Sequence, residues 1–231
     1  MPKGGDPAFV LMDALLRQIM FDPAVSGLLE KPEVTKKLES EGTKVWEHKF
    51  DHQKYPETKR LADNGFRVET TEGSYFPISD LEKLKAAFPG SSLTAGTSAW
   101  LDQTIIEDLN PTAEDGGLVI SFEEVANRAI FWENWLKNNP NNALTKSTAR
   151  STSWFTNDVL VGLDNTPAFD YETKKLTPEA QKAWDFILKE YPNSKLAAGV
   201  RQMQSLIASD GGLRGAKTEA FIQKMFEAQS E

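Results

Sequence analysis

Two segments of the chain, WENWLKNNPNNAL (residues 132–144) and WDFILKEYPNSKL (residues 184–196), carry the same pattern 52 residues apart. In each segment a Trp is followed by Leu-Lys, then by Pro-Asn, and finally by Leu, at matching positions. The apolar residues before the proline recur at helical spacing, and proline cannot continue a helix. Each segment therefore predicts two antiparallel helices joined by a tight turn at the Pro-Asn pair, residues 140–141 and 192–193.

These helical hairpins resemble tetratricopeptide repeats over roughly residues 121–209, with residues 183–197 similar to the junction between the two helices of a repeat. The 52-residue offset between the two hairpins differs from the repeat length of that class, which is about 34 residues. The stretch from Ser121 through residues 162–170 to Leu196 also resembles an uncharacterised family of exported bacterial proteins. That second resemblance implies a mostly helical, extracytoplasmic domain, and it implies no activity.

The first third of the chain has the pattern of helices with one β-hairpin. Residues 6–7 and 22–23 are both Asp-Pro, which pairs an N-cap residue with a proline at the first helical position. A single helix is predicted over residues 31–48 from its apolar spacing. Alternating apolar and polar residues on both sides of a Glu-Gly turn predict a small hairpin at about residues 66–78. Because a lone hairpin is marginally stable in water, it must pack on helices.

Capping boxes mark two further helix starts, at Ser79-x-x-Glu82 and at Ser121-x-x-Glu124. Residues 89–90, Pro-Gly, are predicted to close the first of these helices. The fold class predicted from all these signals is mainly α: a tetratricopeptide-like helical-hairpin array, with an N-terminal helical region and one small β-hairpin. We expect residues 1–117 to form that N-terminal region and residues 118–231 to form the repeat region, with one continuous domain as the alternative.

The composition excludes several classes of function. The 231 residues include 26 Lys and Arg against 34 Asp and Glu, and the net charge of −8 argues against a nucleic-acid partner. No apolar run approaches the ~20 residues of a transmembrane segment. The chain has no Cys, which excludes disulfides and thiolate metal sites. We expect an extracytoplasmic protein whose leader is absent from this chain, with a cytoplasmic location as the alternative.

Both histidines of the chain, His48 and His52, lie four residues apart. On one helix they would share a face, and with Asp51 they form H-x-x-D-H, which is close to the zinc signature H-x-x-E-H. A zinc site also needs a third ligand and an open position for water. We predict no metal and no cofactor. The alternative is a zinc-dependent hydrolase with His48 and His52 as ligands and Asp51 as the base.

Paired carboxylates are a second catalytic possibility, because glycosidases use two of them. The candidates in the helical region are Glu123, Glu124, Glu133 and Asp158. With 34 acidic residues in the chain, pairs at suitable spacing arise by chance, so the sequence does not favour a glycosidase.

Aromatic residues of the repeat region are the first candidate binding residues. Trp135, Trp154 and Phe155 lie where stacked hairpins would form a concave surface. Aromatic residues at helical spacing usually pack in a core, and that is the first interpretation of this cluster. The alternative is a groove for a peptide or a glycan, in which case one of these rings should line it half-exposed, since a fully buried ring cannot contact a partner.

The loop over residues 162–170 supplies the other candidates, Asp164 and Asn165. Their oxygens could bind a cation, but Asp and Asn side chains more often stabilise turns. We expect them to accept hydrogen bonds from backbone N–H groups, with Leu163 and Phe169 buried.

The function predicted from the sequence is a non-enzymatic binding or scaffold domain that uses the surface of the stacked hairpins. The expected partner is a protein, a peptide or a glycan, and not a nucleic acid.

Overall fold

The computed structural model describes residues 5–88 and 92–227. It is 62% helical, which confirms the predicted mainly α fold. None of the helices in these residues is long and apolar enough to cross a membrane. The described helices are α1 (Gly5–Met20), α2 (Pro23–Ser26), α3 (Pro32–Glu39), α4 (Gly42–Trp46), α5 (Pro56–Asp63), α6 (Leu81–Ala87), α7 (Ala95–Leu109), α8 (Phe122–Asn138), α9 (Thr145–Val161), α10 (Pro178–Glu190), α11 (Lys195–Ser209) and α12 (Ala216–Glu227).

Three small antiparallel strand pairs accompany the described helices. The predicted hairpin is confirmed as the first pair. The other two pairs have strands of two residues, too short for an alternating pattern to reveal them. The strands are β1 (Phe66–Thr71), β2 (Ser74–Ser79), β3 (Ala113–Glu114), β4 (Gly117–Leu118), β5 (Gly162–Leu163) and β6 (Thr166–Pro167).

The chain divides into two compact units, the N-terminal unit (Met1–Leu109) and the C-terminal unit (Asn110–Glu231). The boundary expected from the sequence was residue 117. Residues 110–117 belong to the C-terminal unit because the β3–β4 hairpin packs against the β5–β6 hairpin of that unit.

In the N-terminal unit the β1–β2 hairpin packs against α1, α4 and α5. Val68 pairs with Pro77 across the hairpin, and the Val68 N–H donates to a side chain outside the sheet, His52. Val68 and Pro77 are therefore a non-hydrogen-bonded pair, in which the N–H groups of both residues point away from the partner strand. Proline lacks an N–H, but at this position no hydrogen bond between the strands is lost.

The predicted single helix over residues 31–48 is wrong. Helix α3 ends at Glu39, and a separate short helix, α4, starts at Gly42. Glycine weakens a helix interior by about 1 kcal/mol relative to alanine. The break near Gly42 follows from that weakness, and α4 ends before His48, which adopts a positive φ of 53°.

Capping in the N-terminal unit differs from the prediction at two places. Helix α6 is capped by the Asp80 carboxylate, which accepts from Lys83 N at 3.0 Å, while Ser79 is the last residue of β2. Asp6 lies inside the first turn of α1, and its carboxylate accepts from Thr94 N, next to the start of α7. The predicted cap at Asp22 is confirmed. The predicted end of α6 at residues 89–90 lies outside the described residues.

The core of the C-terminal unit is built around Trp184, which is fully buried. Its indole Nε1–H donates to the Val159 carbonyl at 3.0 Å, and its ring meets that of Phe169 edge-on. Apolar residues of α8, α9, α10 and α11 surround it. The core is therefore continuous across these four helices.

The two Pro-Asn turns fall between helices, as predicted, at residues 139–144 and 191–194. Helices α8 and α9 are antiparallel, since the Leu118 N–H before α8 donates to Thr166 Oγ1 after α9 at 3.0 Å. The predicted cap at Ser121 is also confirmed, and the Thr177 and Ser194 hydroxyls cap α10 and α11. The likeness to tetratricopeptide repeats stays a prediction.

Candidate functional site

The two histidines lie on different parts of the N-terminal unit's surface loops, and not on one helix face. His52 Nε2 accepts a hydrogen bond from Val68 N at 2.9 Å. Burial, and then the charge of Lys83, lowers the pKa of His52, which favours the neutral ring that this hydrogen bond requires. His48 Nδ1 lies 3.6 Å from Glu69 Oε2, an oxygen that also contacts Arg67.

This geometry does not assemble the zinc site of the alternative interpretation. The Asp51 carboxylate accepts from Gln53 N in a local turn. Across the part of the chain that the structure describes, no three His, Asp or Glu side chains are grouped so that they could hold a metal ion.

The three candidate aromatic residues lie in different environments, and none of them lines the apolar groove of the C-terminal unit that is described below. Trp135 is only 4% exposed, so its ring belongs to the core and does not offer a contact surface. Phe155 is half-buried against the core cluster. Trp154 is 58% exposed, on a different face of α9 from the groove.

The loop candidates Asp164 and Asn165 form the turn of the β5–β6 hairpin, which meets the β3–β4 hairpin; we call residues 113–118 and 162–167 the paired hairpins. Asn165 N donates to the Gly116 carbonyl at 2.8 Å, and Asn165 Nδ2 donates to the Asp115 carbonyl. The Asn165 amide is thus a donor to the backbone, opposite to the predicted direction.

The buried anchor of this loop is Phe169, as predicted, whereas Leu163 is only half-buried. Asp170, and not Asp164, supplies the carboxylate that holds the loop. Its Oδ1 accepts from the backbone N–H groups of Glu172 and Thr173 and from the Thr173 hydroxyl.

Replacing Asp170 with alanine is expected to lower the melting temperature, because three donors lose their acceptor. Hydrogen bonds from Thr173 hold the pKa of Asp170 below its ordinary value. The stabilisation is therefore present above the ordinary aspartate pKa and is lost as the pH falls through the lowered value. Asp164→Ala is the control, since in the described residues the Asp164 carboxylate accepts no hydrogen bond. Thermal unfolding at pH 7 gives the melting temperatures of the two variants. An equal decrease in both would contradict the role of Asp170 as the carboxylate that holds the loop.

A groove of the C-terminal unit has a volume of about 680 Å³ and a mostly apolar wall; we call it the α9 groove. Helix α9 supplies residues at i, i+3, i+4, i+7 and i+8, which is one face of a helix. The lining residues are Ala149, Thr152, Ser153, Thr156 and Asn157 from α9, Glu133, Leu136 and Lys137 from α8, Lys195 and Leu196 from α11, and Met225 from α12.

The three hydroxyl groups of α9 that line the groove are used inside the helix. Thr152 donates to the Thr148 carbonyl, Thr156 to the Thr152 carbonyl, and Ser153 to the Ala149 carbonyl, at 2.8–3.1 Å. Such bonds to the carbonyl four residues earlier are a common way for Ser and Thr to satisfy their hydroxyls within a helix. A wall rich in Ser and Thr therefore behaves as a largely apolar surface.

Glu133 is the carboxylate of the α9 groove, and it caps helix α11. Its two oxygens accept from Lys195 N at 2.8 Å and from Leu196 N at 3.2 Å. The next N–H of α11, that of Ala197, bonds to the Ser194 hydroxyl. The start of α11 is thus already satisfied by protein groups, and the negative charge of Glu133 faces the positive end of a helix dipole.

The buried amide of Asn157 is the unusual feature of the groove. The residue is only 5% exposed, and its Nδ2 has no hydrogen-bond partner in the described residues. An unsatisfied buried donor costs about 1–3 kcal/mol, so such groups are rare in folded proteins and call for an explanation. The Nδ2 atom itself has almost no accessible surface, so a ligand in the groove does not reach it in this structure.

The four acids considered for paired catalysis have other roles. Glu123 bonds Lys182, Glu124 lies 3.5 Å from Arg128 Nε, and Glu133 caps α11.

Burial raises the pKa of Asp158 to about 6. Because the folded state then binds a proton more tightly than the unfolded chain, Asp158 reduces stability as the pH rises from about 4 to about 6.

Comparisons with protein-family models, with curated proteins and with solved structures find no match. The fold and the groove define a mainly α chain whose C-terminal unit carries an apolar groove, with the buried amide of Asn157 in its wall.

Sequence reasoning missed the groove because its wall joins residues far apart in the chain, such as Glu133, Asn157 and Met225. One local signal was available. Thr148, Thr152 and Thr156 recur every four residues, a spacing that marks a helix face with internally bonded hydroxyls.

Proposed function

We propose that the C-terminal unit is a non-enzymatic binding module whose ligand occupies the α9 groove. The observation that carries this proposal is a groove of about 680 Å³ with a mostly apolar wall, lined by one face of α9. Small-molecule sites have volumes of about 300–1,000 Å³, mostly apolar walls and few polar groups. The occupant proposed is therefore a small molecule, in place of the protein, peptide or glycan expected from the sequence.

Binding without catalysis is supported by the state of the polar groups in the groove. Glu133 is engaged as the cap of α11, and the hydroxyls of Thr152, Ser153 and Thr156 donate within α9. None of these lining groups forms a pair of nucleophile and base, which covalent catalysis requires. An extracytoplasmic location is part of the proposal and rests on the sequence resemblance over residues 121–196.

The test uses the neutral fluorescent probe N-phenyl-1-naphthylamine with the full chain. We expect saturable binding with one site per chain. Ala149→Trp fills the groove and should weaken binding about tenfold or more, which corresponds to the loss of about one buried aromatic contact. Arg150→Trp is the matched control, because Arg150 is the next residue of α9, is exposed and does not line the groove.

The control should bind the probe as the unmodified chain does, with both variants showing the same far-ultraviolet circular dichroism. Absence of saturable binding, or equal affinity in Ala149→Trp and the unmodified chain, would overturn the proposed function.

A further inference from the structure

We propose that helix α1 forms the interface of a symmetric dimer, in which two copies of this chain pair through antiparallel α1 helices. This inference concerns the N-terminal unit and does not depend on the α9 groove. It follows from an exposed apolar surface, which we call the α1 face. The side chains that form it are Leu11, Met12, Leu15 and Ile19 of α1, together with Phe21 just after the helix.

The α1 face is unusual for a surface exposed to solvent because it is both large and apolar. Its five side chains are between 42% and 74% exposed. Leu11, Leu15 and Ile19 follow one another every four residues, so they form one stripe along the helix. The opposite side of α1 carries Phe9 and Leu16, which are buried. A helix that is apolar on both sides is typical of one that is covered on both sides.

The charges of α1 lie away from the α1 face. The helix has three charged residues, Asp6, Asp13 and Arg17. Both aspartates are only 8% exposed, on the buried side. Arg17 Nε lies 2.9 Å from Asp13 Oδ2, so the one cation of α1 is paired within its own helix. The surface offered to a partner is therefore uncharged.

A lipid surface does not fit this distribution of charge. Helices that bind membrane surfaces carry Lys and Arg beside their apolar face, and anionic lipids attract them. Here the single basic residue of α1 is paired, and the net charge of −8 on the chain opposes approach to an anionic surface. An uncharged apolar face is instead matched by a second face of the same kind.

The α1 face is complementary to itself. Leu11 and Ile19 lie four residues on either side of Leu15. If two α1 helices pack antiparallel with the twofold axis at Leu15, each Leu11 meets the Ile19 of the second copy, and the two Leu15 side chains meet each other. Phe21 then lies near Ala8 of the second copy, a small exposed residue that leaves room for the ring. The same surface thus serves both copies, as a twofold interface requires.

The area of the α1 face is sufficient for a weak dimer. At their exposed fractions the five side chains present roughly 500 Å² in each copy, hence about 1,000 Å² in a pair. Specific interfaces begin at about this total area. We therefore expect a dissociation constant in the range of about 1–10 µM.

The first test is analytical ultracentrifugation of the full chain between about 0.1 and 100 µM, a range that spans the expected dissociation constant. We expect a reversible equilibrium of monomer and dimer. The dimer should persist in about 0.5 M sodium chloride, because salt screens the repulsion between acidic chains and does not weaken apolar contacts. Leu15→Asp places two like charges at the axis and should weaken the dimer about a hundredfold or more.

Ile106→Asp is the matched control for Leu15→Asp. Ile106 is 50% exposed and lies on another helix of the same unit, α7, so the control introduces the same charge at a similar exposure. It should leave the dissociation constant unchanged. Both variants should keep the far-ultraviolet circular dichroism of the unmodified chain.

The second test determines the register, and the lack of Cys in the chain makes it direct. Antiparallel helices packed about 8–10 Å apart bring the two Leu15 positions within disulfide distance, about 4.4–6.8 Å between Cα atoms. The two Leu11 positions lie about 12 Å apart along the helix pair. Mild oxidation should therefore link Leu15→Cys to itself and leave Leu11→Cys unlinked. A mixture of Leu11→Cys and Ile19→Cys should link.

Several results would overturn the proposal. One is a chain that stays monomeric over the whole concentration range. Another is equal weakening by Leu15→Asp and Ile106→Asp, which would place the interface elsewhere. Flotation of a monomeric chain with vesicles of phosphatidylcholine and phosphatidylglycerol, lost in Leu15→Asp, would assign the α1 face to a lipid surface. Linking of Leu11→Cys to itself as fast as Leu15→Cys would contradict the antiparallel register.

Discussion

Replacing Trp184 with alanine is expected to lower the free energy of unfolding of the C-terminal unit by about 3–5 kcal/mol, the usual cost of truncating a buried tryptophan. The side chain is 0% exposed, so its removal leaves a cavity between α8, α9 and α10. The Val159 carbonyl also loses the indole donor that lies 3.0 Å away. Since domains are stable by only about 5–15 kcal/mol, this one change removes a large part of the total.

The control for this prediction is Trp154→Ala, which removes the same side chain from a position that is 58% exposed. We expect a change within about 0.5 kcal/mol there, as for most surface substitutions. Urea unfolding of the full chain, followed by far-ultraviolet circular dichroism, gives the midpoints and slopes of both variants. If Trp184→Ala shifts the transition no more than Trp154→Ala does, the proposed centre of the core is wrong.

Replacing Gly162 with alanine is expected to destabilise the C-terminal unit by about 3 kcal/mol or more, from backbone strain and steric overlap together. Gly162 ends helix α9 with a φ of +78°. A Cβ at this position would lie 2.4 Å from both the Ala168 nitrogen and the Thr166 oxygen. Both atoms are backbone, so neither can rotate away, and the start of β6 would have to move.

Gly211→Ala is a closely matched control, because Gly211 has nearly the same φ, +77°. No atom of the described residues lies within 4 Å of the Cβ that alanine would add there. We expect only the strain of a positive φ, about 1 kcal/mol. The difference between the two variants in urea midpoint therefore measures the close approach at Gly162 together with the strain of its ψ of −167°, which only glycine adopts readily. Equal losses would show that the overlap is relieved by a small backbone shift.

Local signals predicted the parts of the fold that local interactions determine. The Pro-Asn pairs end helices because proline lacks an N–H and clashes with the preceding turn. The cap at Ser121 was predicted from the sequence because its hydroxyl bonds an N–H only three residues away, that of Glu124. The β1–β2 hairpin was predicted for the same reason, from its alternation and its Glu-Gly turn.

The predictions that failed concern residues whose local preference is overridden by a contact with a distant part of the chain or by a neighbouring residue. Ser79 and Asp80 could both cap α6, and the strand pairing of Ser79 leaves the cap to Asp80. Trp135 shares a helix face with Trp132, and both are buried, so a residue's position in a hairpin does not tell which rings face solvent. The groove itself depends on how four helices pack, which residue spacing within any one of them does not specify.

The paired hairpins fasten together two chain segments that the whole of α8 and α9 separates. Leu118 N bonds to Thr166 Oγ1 across 48 residues, and Asn165 N bonds to the Gly116 carbonyl. Closing so long a loop carries an entropic cost, which the antiparallel packing of α8 on α9 helps to offset. The hairpins then restrain the ends of the helix pair, where helices otherwise fray. The amide hydrogens of Leu118 and Asn165 should exchange with solvent only when the paired hairpins separate, so their exchange rates report how often this end of the helix pair opens.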